Sequence, residues 1–134
     1  MLNFKQNTDF DLIGLGEVML RLSPQGKEKI SQSETFEKTV GGSELNVVSG
    51  AAMLGARSAI LTKIPNNKIG HFVRNKIRYG NVSDDYLVYD DSPDARLGLY
   101  YYESGAYPRK SSVVYDRAGS SVCSLSLSEI PDDI

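Results

Sequence analysis

The chain has 134 residues, a formal net charge of -2 and a hydrophobic content of 40%. So small a charge imbalance gives no basis for binding nucleic acid or an anionic membrane. The single cysteine, Cys123, excludes an internal disulfide and suits a reducing cytoplasm. No apolar stretch approaches the ~18 residues that span a bilayer, and the polar residues 1–11 lack the apolar core of a signal peptide. We therefore expect one cytoplasmic domain over residues 1–134, with neither nucleic acid nor membrane as a partner.

The first predicted strand covers residues 10–16 and is apolar enough to be buried on both faces. Gly14 and Gly16 begin the spacing of a dinucleotide-binding turn, but Met19 stands where the third glycine belongs. The chain also continues with the alternation of a strand rather than opening a helix, so nucleotide binding at this turn is disfavoured. Further strands are predicted over residues 18–24, 35–40, 58–64 and 82–88.

A glycine pair, Gly41-Gly42, leads from the third predicted strand into a helix over residues 43–54. Ser43 is expected to cap this helix, and the helix ends before Gly55. A bare turn at a helix start also lets a polar ligand approach main-chain N–H groups, although an ordinary strand-to-helix turn has the same pattern. The apolar residues expected to face a neighbour are Leu45, Val47, Val48, Ala51, Ala52 and Leu54.

The middle of the chain reads strand, helix, strand, which is typical of a parallel α/β sheet. Its helix covers residues 69–79 and ends at Gly80. Glu17, just past the first strand, would either bind a ligand or satisfy local backbone, and His71 has no evident partner and is expected to be structural. A core stripe is expected at Ile69, Phe72, Val73 and Ile77, and a solvated basic face at Lys68, Arg74, Lys76 and Arg78.

Two β-rich segments, residues 96–103 and 111–117, are joined by a Gly/Pro loop and predict a hairpin outside the parallel sheet. Strand alternation places Tyr100 on one face of the first segment, and puts Tyr115 and Arg117 together on one face of the second. Converging tyrosines and an arginine would suit a polar ligand with an anionic group. A surface hairpin whose tyrosines only satisfy β-propensity fits the same pattern.

Taken in chain order, these motifs resemble the N-terminal signature of ribokinase-type, or PfkB-type, carbohydrate kinases. The similarity runs from about residue 12 onward, and within the family it is greatest to 2-keto-3-deoxygluconate kinases, because of Tyr100, Tyr115 and Arg117. The segments that carry the resemblance are Gly16-Glu17, Gly41-Gly42-Ser43-Glu44-Leu45-Asn46, Gly55-Ala56, Lys63-Ile64-Pro65-Asn66-Asn67 with Gly70, and Val114-Tyr115-Asp116-Arg117-Ala118.

The resemblance implies the N-terminal part of an α/β, ribokinase-like three-layer fold with a parallel sheet and a small β-sheet lid. The lid would be built from about residues 18–40 and 95–117, and a sugar acid would bind beneath it. An arginine fork matches a carboxylate bidentately, which is the physical reason for an arginine in such a site. By resemblance, the substrate-binding residues are Gly41, Gly42, Asn46, Tyr100, Tyr115 and Arg117.

Complete members of the family also use ATP, Mg²⁺ and a catalytic aspartate in a Gly-x-Gly-Asp turn, and the 134 residues contain no such turn. For this chain alone we expect no catalytic residue, no metal ligand and no bound nucleotide. Three hypotheses remain open. The chain is the sugar-binding part of a kinase completed by a missing C-terminal half or a complementing chain, or a non-catalytic sugar-acid-binding or dimerisation module that self-associates through its lid. The third hypothesis is an unrelated α/β domain.

Overall fold

The computed structural model of the chain describes residues 8–132 and residue 134. Most of the polar N-terminal segment predicted over residues 1–11 lies outside the described residues. The strands are β1 (Leu12–Leu15), β2 (Met19–Pro24), β3 (Phe36–Gly41), β4 (Ser58–Pro65), β5 (Leu87–Asp90), β6 (Leu99–Glu103) and β7 (Ser112–Asp116). The α-helices are α1 (Ser43–Met53) and α2 (Lys68–Tyr79), and two 3₁₀ helices follow at Ser121–Ser124 and Leu127–Glu129.

A three-stranded parallel sheet has the strand order β1-β4-β5, with β4 in the centre. The β1–β4 register places Leu12 opposite Ser58, and the β4–β5 register places Thr62 opposite Leu87. Helices α1 and α2 connect the strands as crossovers, so the predicted parallel α/β sheet is confirmed.

A separate four-stranded sheet has the order β3-β2-β6-β7. Strand β2 pairs antiparallel with β3 and parallel with β6, and β6 and β7 form an antiparallel hairpin. The hairpin therefore stays out of the three-stranded sheet, as predicted. Arg21 lies opposite Tyr100, and Tyr100 lies opposite Tyr115, so these side chains share one face of the four-stranded sheet.

The hydrophobic core lies between the two helices and both sheets. Its fully buried members include Val48 of α1, Ile60 and Ile64 of β4, and Val73 and Ile77 of α2. Side chains from the four-stranded sheet and the segment before β6 complete the same cluster: Val18, Leu20 and Leu97 are buried in it, and Leu22, Val40 and Leu99 pack against it. The four-stranded sheet is thus attached to the body through its apolar face, which leaves the opposite face open.

Two details of α1 differ from the sequence prediction. Ser43 does not cap the helix, because Gly42 occupies the N-cap position and Ser43 already lies in the helix. The Ser43 hydroxyl instead donates to the Glu44 carboxylate. Val47 and Leu54 were expected in the core, but they are 62% and 91% exposed. Leu45 and Val48 are buried and Ala52 packs against the core, since a helix buries one face.

The segment after α2 also differs from its prediction. The predicted strand at residues 82–88 begins only at Leu87 and runs to Asp90. Asn81 has a left-handed backbone with φ 58, and Ser83 makes a single bridge to Ala59, so the chain turns here before it can extend. Helix α2 has the length and end predicted for it, within one residue. No helix in the described part of the chain is both long and apolar enough to cross a membrane.

Candidate functional site

The turn between β3 and α1 depends on close backbone approach at both glycines. Gly41 is buried beneath Tyr100, and a methyl group on it would collide with the Tyr100 hydroxyl. Gly42 has φ 151, and a methyl group there would lie 2.6 Å from the carbonyl oxygen of Glu17. The glycines therefore bring the start of α1 against the end of β1 and set Tyr100 directly over the turn.

The tyrosine face of the hairpin continues from this turn. The ring centres of Tyr100 and Tyr115 lie 5.8 Å apart, as a cross-strand aromatic pair of β6 and β7. Arg117 follows β7, with its Cζ 5.9 Å from the centre of the Tyr115 ring. Tyr115 is exposed, so the face is open to an incoming molecule.

Arg117 is also paired with the body. Its Nη2 lies 2.5 Å from Oε2 of Glu17, whose other oxygen, Oε1, accepts a 2.6 Å hydrogen bond from the Ser120 hydroxyl. The Glu17 side chain is 9% exposed, whereas that of Arg117 is 52% exposed. A nearly buried carboxylate is thus compensated by a guanidinium that reaches solvent.

The predicted site residues form a contact series that passes through Glu17. Tyr100 covers Gly41, Tyr115 stacks on Tyr100, and Arg117 joins Tyr115 to Glu17, whose carbonyl oxygen meets Gly42. The sixth, Asn46, lies one turn into α1, where its backbone N–H donates to the Gly42 carbonyl oxygen at 3.0 Å and its side chain is exposed. Five of the six predicted residues therefore lie in one contact series, and Asn46 follows it one helical turn into α1.

Sequence reasoning left Glu17 open and missed Ser120 and Gly98. A side chain at Gly98 would collide with the Glu17 carboxylate, so this glycine makes room for it. An isolated glycine next to a strand, as in Leu97-Gly98-Leu99, is a signal of such close approach. Ser120 carries no comparable signal, because it lies 103 residues from Glu17 in the chain.

A polar cavity of about 260 Å³ opens farther along the same face of the four-stranded sheet. Beside it, the guanidinium of Arg21 stacks on Tyr102, with its Cζ 4.2 Å from the ring centre. Hydrogen bonding with Ser111, followed by that with Ser104, lowers the pKa of Tyr102 below its usual value. The cavity is lined by Arg21, Ser23, Pro24, Gly26, Glu37, Thr39 and Ser104, none of which belongs to the predicted site.

The described residues offer no cluster of side chains for a metal ion. Among residues 8–132, no three His, Cys, Asp or Glu side chains cluster in a way that could hold a metal ion. The only histidine of the sequence, His71, is exposed and lies edge-on to Tyr89 with the ring centres 6.5 Å apart.

Comparison with known proteins decides the family. The model of the pfkB family of carbohydrate kinases matches residues 9–133. The chain belongs to this family. The pfkB match covers both sheets and every predicted site residue.

Two relatives of the chain are named as kinases of dehydro-deoxy sugar acids. The chain is 39% identical over 124 residues to a 2-dehydro-3-deoxygalactonokinase of Haloferax volcanii, covering 92% of this chain and 38% of that protein. It is 29% identical over 131 residues to a 5-dehydro-2-deoxygluconokinase of Bacillus anthracis, covering 97% of this chain and 39% of that protein.

A solved relative has the same fold. The structure of a 2-dehydro-3-deoxygluconokinase from Thermotoga maritima superposes with a TM-score of 0.84 and 37% sequence identity, over 90% of this chain and 36% of that one. The similarity confirms the ribokinase-like α/β fold expected from the sequence. The chain spans less than two-fifths of the length of the first of these relatives, at 38%, and of this solved structure, at 36%.

Proposed function

We propose that this chain supplies the sugar-acid-binding part of an ATP-dependent kinase acting on 2-keto-3-deoxygluconate or a related sugar. The observation that supports this most is the contact series Gly41–Tyr100–Tyr115–Arg117 on the open face of the four-stranded sheet. In this role the four-stranded sheet is the lid, built from about residues 18–40 and 95–117. The whole chain, residues 1–134, is then the N-terminal part of a single domain.

The chemistry of these side chains fits a sugar acid. Arg117 provides a planar fork for a carboxylate, and in the described part of the chain its Nε and Nη1 have no hydrogen-bond partner. The hydroxyls of Tyr100 and Tyr115 suit the sugar hydroxyls, and the turn at Gly42 and the amide of Asn46 provide further polar groups. The names of the relatives, kinases of dehydro-deoxy sugar acids, favour the same substrate class.

In this function, a C-terminal half or a complementing chain would bind ATP and Mg²⁺ and supply the catalytic base. Parallel sheets are normally covered on both faces and extended by neighbouring strands. Here β1 is an edge of the three-stranded sheet, and Leu15 at its end is exposed. Val47, Met53 and Leu54 of α1 are exposed as well, so the three-stranded sheet and helix α1 both offer apolar surface for further strands or helices.

A second candidate is a non-catalytic sugar-acid-binding or dimerisation module that self-associates through its lid. It is favoured by edge strand β7, of which all five residues are exposed, including Val113 and Val114. Light scattering across a range of protein concentrations tests it. A dimer that Val114→Lys dissociates would support this candidate, and a monomer at every concentration would contradict it.

The main proposal is tested by titrating the isotope-labelled 134-residue chain with 2-keto-3-deoxygluconate and following backbone amide signals by NMR. We expect saturable shifts at Gly41, Gly42, Asn46, Tyr100 and Tyr115, because the ligand would lie among them. The neutral sugar 2-deoxyglucose serves as the control and should shift them far less at equal concentration. Saturable shifts that cluster elsewhere, or equal responses to both sugars, would contradict the proposal.

A further inference from the structure

We propose that Glu17 is a positioning residue that orients Arg117 for an anionic ligand. The inference rests on the proposed sugar-acid function and extends it to a residue that touches no ligand itself. Glu17 lies between β1 and β2, in the body, whereas Arg117 directly follows the last strand of the hairpin. Their ion pair is thus a direct link between the body and the ligand-facing arginine.

The environment of Glu17 is built around its charge. Both carboxylate oxygens are engaged, Oε1 by the Ser120 hydroxyl at 2.6 Å and Oε2 by Arg117 Nη2 at 2.5 Å. With the side chain only 9% exposed, solvent screens this pair less than it would screen a surface pair. A carboxylate in such a place holds a guanidinium in one orientation.

The backbone at Gly98 leaves space for this arrangement. A Cβ at this position would collide with Glu17 Oε1 and would lie 3.3 Å from Cβ of Arg117. The Gly98 carbonyl oxygen accepts a 2.9 Å hydrogen bond from the Leu20 N–H, so its backbone is fixed by β2. The pair therefore occupies a recess with rigid walls.

The consequence for Arg117 is a fixed orientation with free donors. Nη2 points inward to Glu17, while Nε and Nη1 meet no hydrogen-bond partner within residues 8–132. The ring of Tyr115, 5.9 Å from Cζ, borders the guanidinium on the hairpin side. Because Glu17 already compensates part of the charge, an anion would be recognised by the geometry of the remaining N–H groups more than by net charge.

A ligand-free experiment tests the positioning role. In the full 134-residue chain, the rate at which the arginine reagent phenylglyoxal modifies Arg117 is measured by mass spectrometry. Glu17→Gln keeps the size of the side chain but removes its charge, and we expect Arg117 modification to accelerate about fivefold, the change for losing one partly screened charge-assisted bond. Ser120→Ala loosens Glu17 without removing its charge and should accelerate modification about twofold.

Glu103→Gln is the matched control. Glu103 is a carboxylate of similar burial that pairs with Arg109 in the same hairpin. Its substitution should accelerate modification of Arg109 and leave Arg117 unchanged, because the two ion pairs share no residue. If neither Glu17→Gln nor Ser120→Ala changes the Arg117 rate, or if Glu103→Gln changes it equally, the positioning role is overturned.

A second arm repeats the modification with ligand present. We expect 2-keto-3-deoxygluconate, but not 2-deoxyglucose, to protect Arg117 in the unsubstituted chain, and the protection to weaken about tenfold in Glu17→Gln, a shift of ~1.4 kcal/mol in binding. Equal protection in both chains would overturn the inference. A third outcome is faster Arg117 modification in Glu17→Gln with no protection by the sugar acid in either chain. It would show that Glu17 holds Arg117, but it would contradict the proposed sugar-acid function.

Discussion

The two sheets of this molecule bury their residues in different ways. Strand β4 of the three-stranded sheet is buried almost throughout, with Ile60 and Ile64 fully so. The four-stranded sheet packs one face on the core through Leu20 and Leu99, while its other face carries Tyr100, Tyr115 and Arg21. The three-stranded sheet is a scaffold whose side chains pack in the core. The four-stranded sheet presents a polar, aromatic surface that takes no part in core packing.

This difference indicates where substitutions act. Changes in the scaffold should alter the stability of the whole domain, because its residues share one core. Changes on the open face should leave stability nearly intact and alter ligand binding instead. The following predictions test that division, beginning with the largest expected effect.

Ile60→Ala should cost about 2–5 kcal/mol of the free energy of unfolding, because it leaves a cavity in the middle of the core. Val113→Ala, opposite Tyr102 on the open face and 42% exposed, should change it by less than about 0.5 kcal/mol. Urea denaturation followed by circular dichroism measures both. Similar losses at the two positions would show that the open face contributes to stability as much as the buried core does, and the division would fail.

Gly41→Ala should destabilise the chain by about 1–3 kcal/mol, because the added methyl group would displace Tyr100 from the turn. The control is Gly50→Ala within α1, where no atom beyond the neighbouring backbone of the helix lies within 4 Å of the added group. That change should stabilise the chain by about 0.5–1 kcal/mol, the ordinary advantage of alanine in a helix. The same urea titrations compare them, and stabilisation by Gly41→Ala would remove the steric basis of the site.

Acid should weaken the attachment of the C-terminal segment to the three-stranded sheet. Lys63 Nζ lies 2.8 Å from Glu129 Oε1, and hydrogen bonding with Lys63, then the backbone N–H of Ser126, lowers the pKa of Glu129 below its usual 4.5. A carboxyl group whose pKa is lowered by folding stabilises the fold above pH 4.5, and this contribution is lost as pH falls through the folded-state pKa.

Glu129→Gln should therefore flatten the decline of melting temperature between about pH 5 and 3, and lower stability only slightly at pH 7. Glu28→Gln is the control, since Glu28 is exposed and has no ion-pair partner in the described part of the chain. A pH profile that Glu129→Gln leaves unchanged would show that the Lys63–Glu129 pair does not stabilise the fold.

The elements could be predicted from sequence where local signals determine them. Helix α2 begins and ends within one residue of its prediction, because Asn67 caps it and Gly80 follows it. The tyrosine face of the hairpin was predictable. Alternation assigns Tyr100 and Tyr115 each to one face of its strand, and the pairing of β6 with β7 puts the two residues opposite each other on the same face. The delayed start of β5 was not, since it depends on Asn81 turning the chain and on Asp84 pairing with Arg74 of α2.

The residues of the candidate site remain a prediction, and their contacts with one another could not be predicted from the sequence. The resemblance to a kinase family pointed to Tyr115 and Arg117, and in the structure the Arg117 guanidinium lies beside the Tyr115 ring. The sequence could not show that Arg117 pairs with Glu17, because that contact joins residues a hundred positions apart and depends on the space left by Gly98. Long-range pairs of this kind follow from tertiary packing rather than from any local pattern.

The central claim, that Arg117 binds the carboxylate of a sugar acid, is tested most directly by isothermal titration of Arg117→Ala. Because this change leaves Glu17 without its cation, the double variant Arg117→Ala/Glu17→Gln is measured beside it. Arg109→Ala, at the arginine that pairs with Glu103 of the same hairpin, is the control.

Binding of 2-keto-3-deoxygluconate should fall by one to three decades in both Arg117 variants, the loss of roughly 2–4 kcal/mol at ~1.4 kcal/mol per decade. The weak binding of 2-deoxyglucose should stay nearly unchanged, and Arg109→Ala should alter neither. Equal losses for the acid and the neutral sugar would contradict the account, because Arg117 would then hold the hairpin in place without recognising a carboxylate.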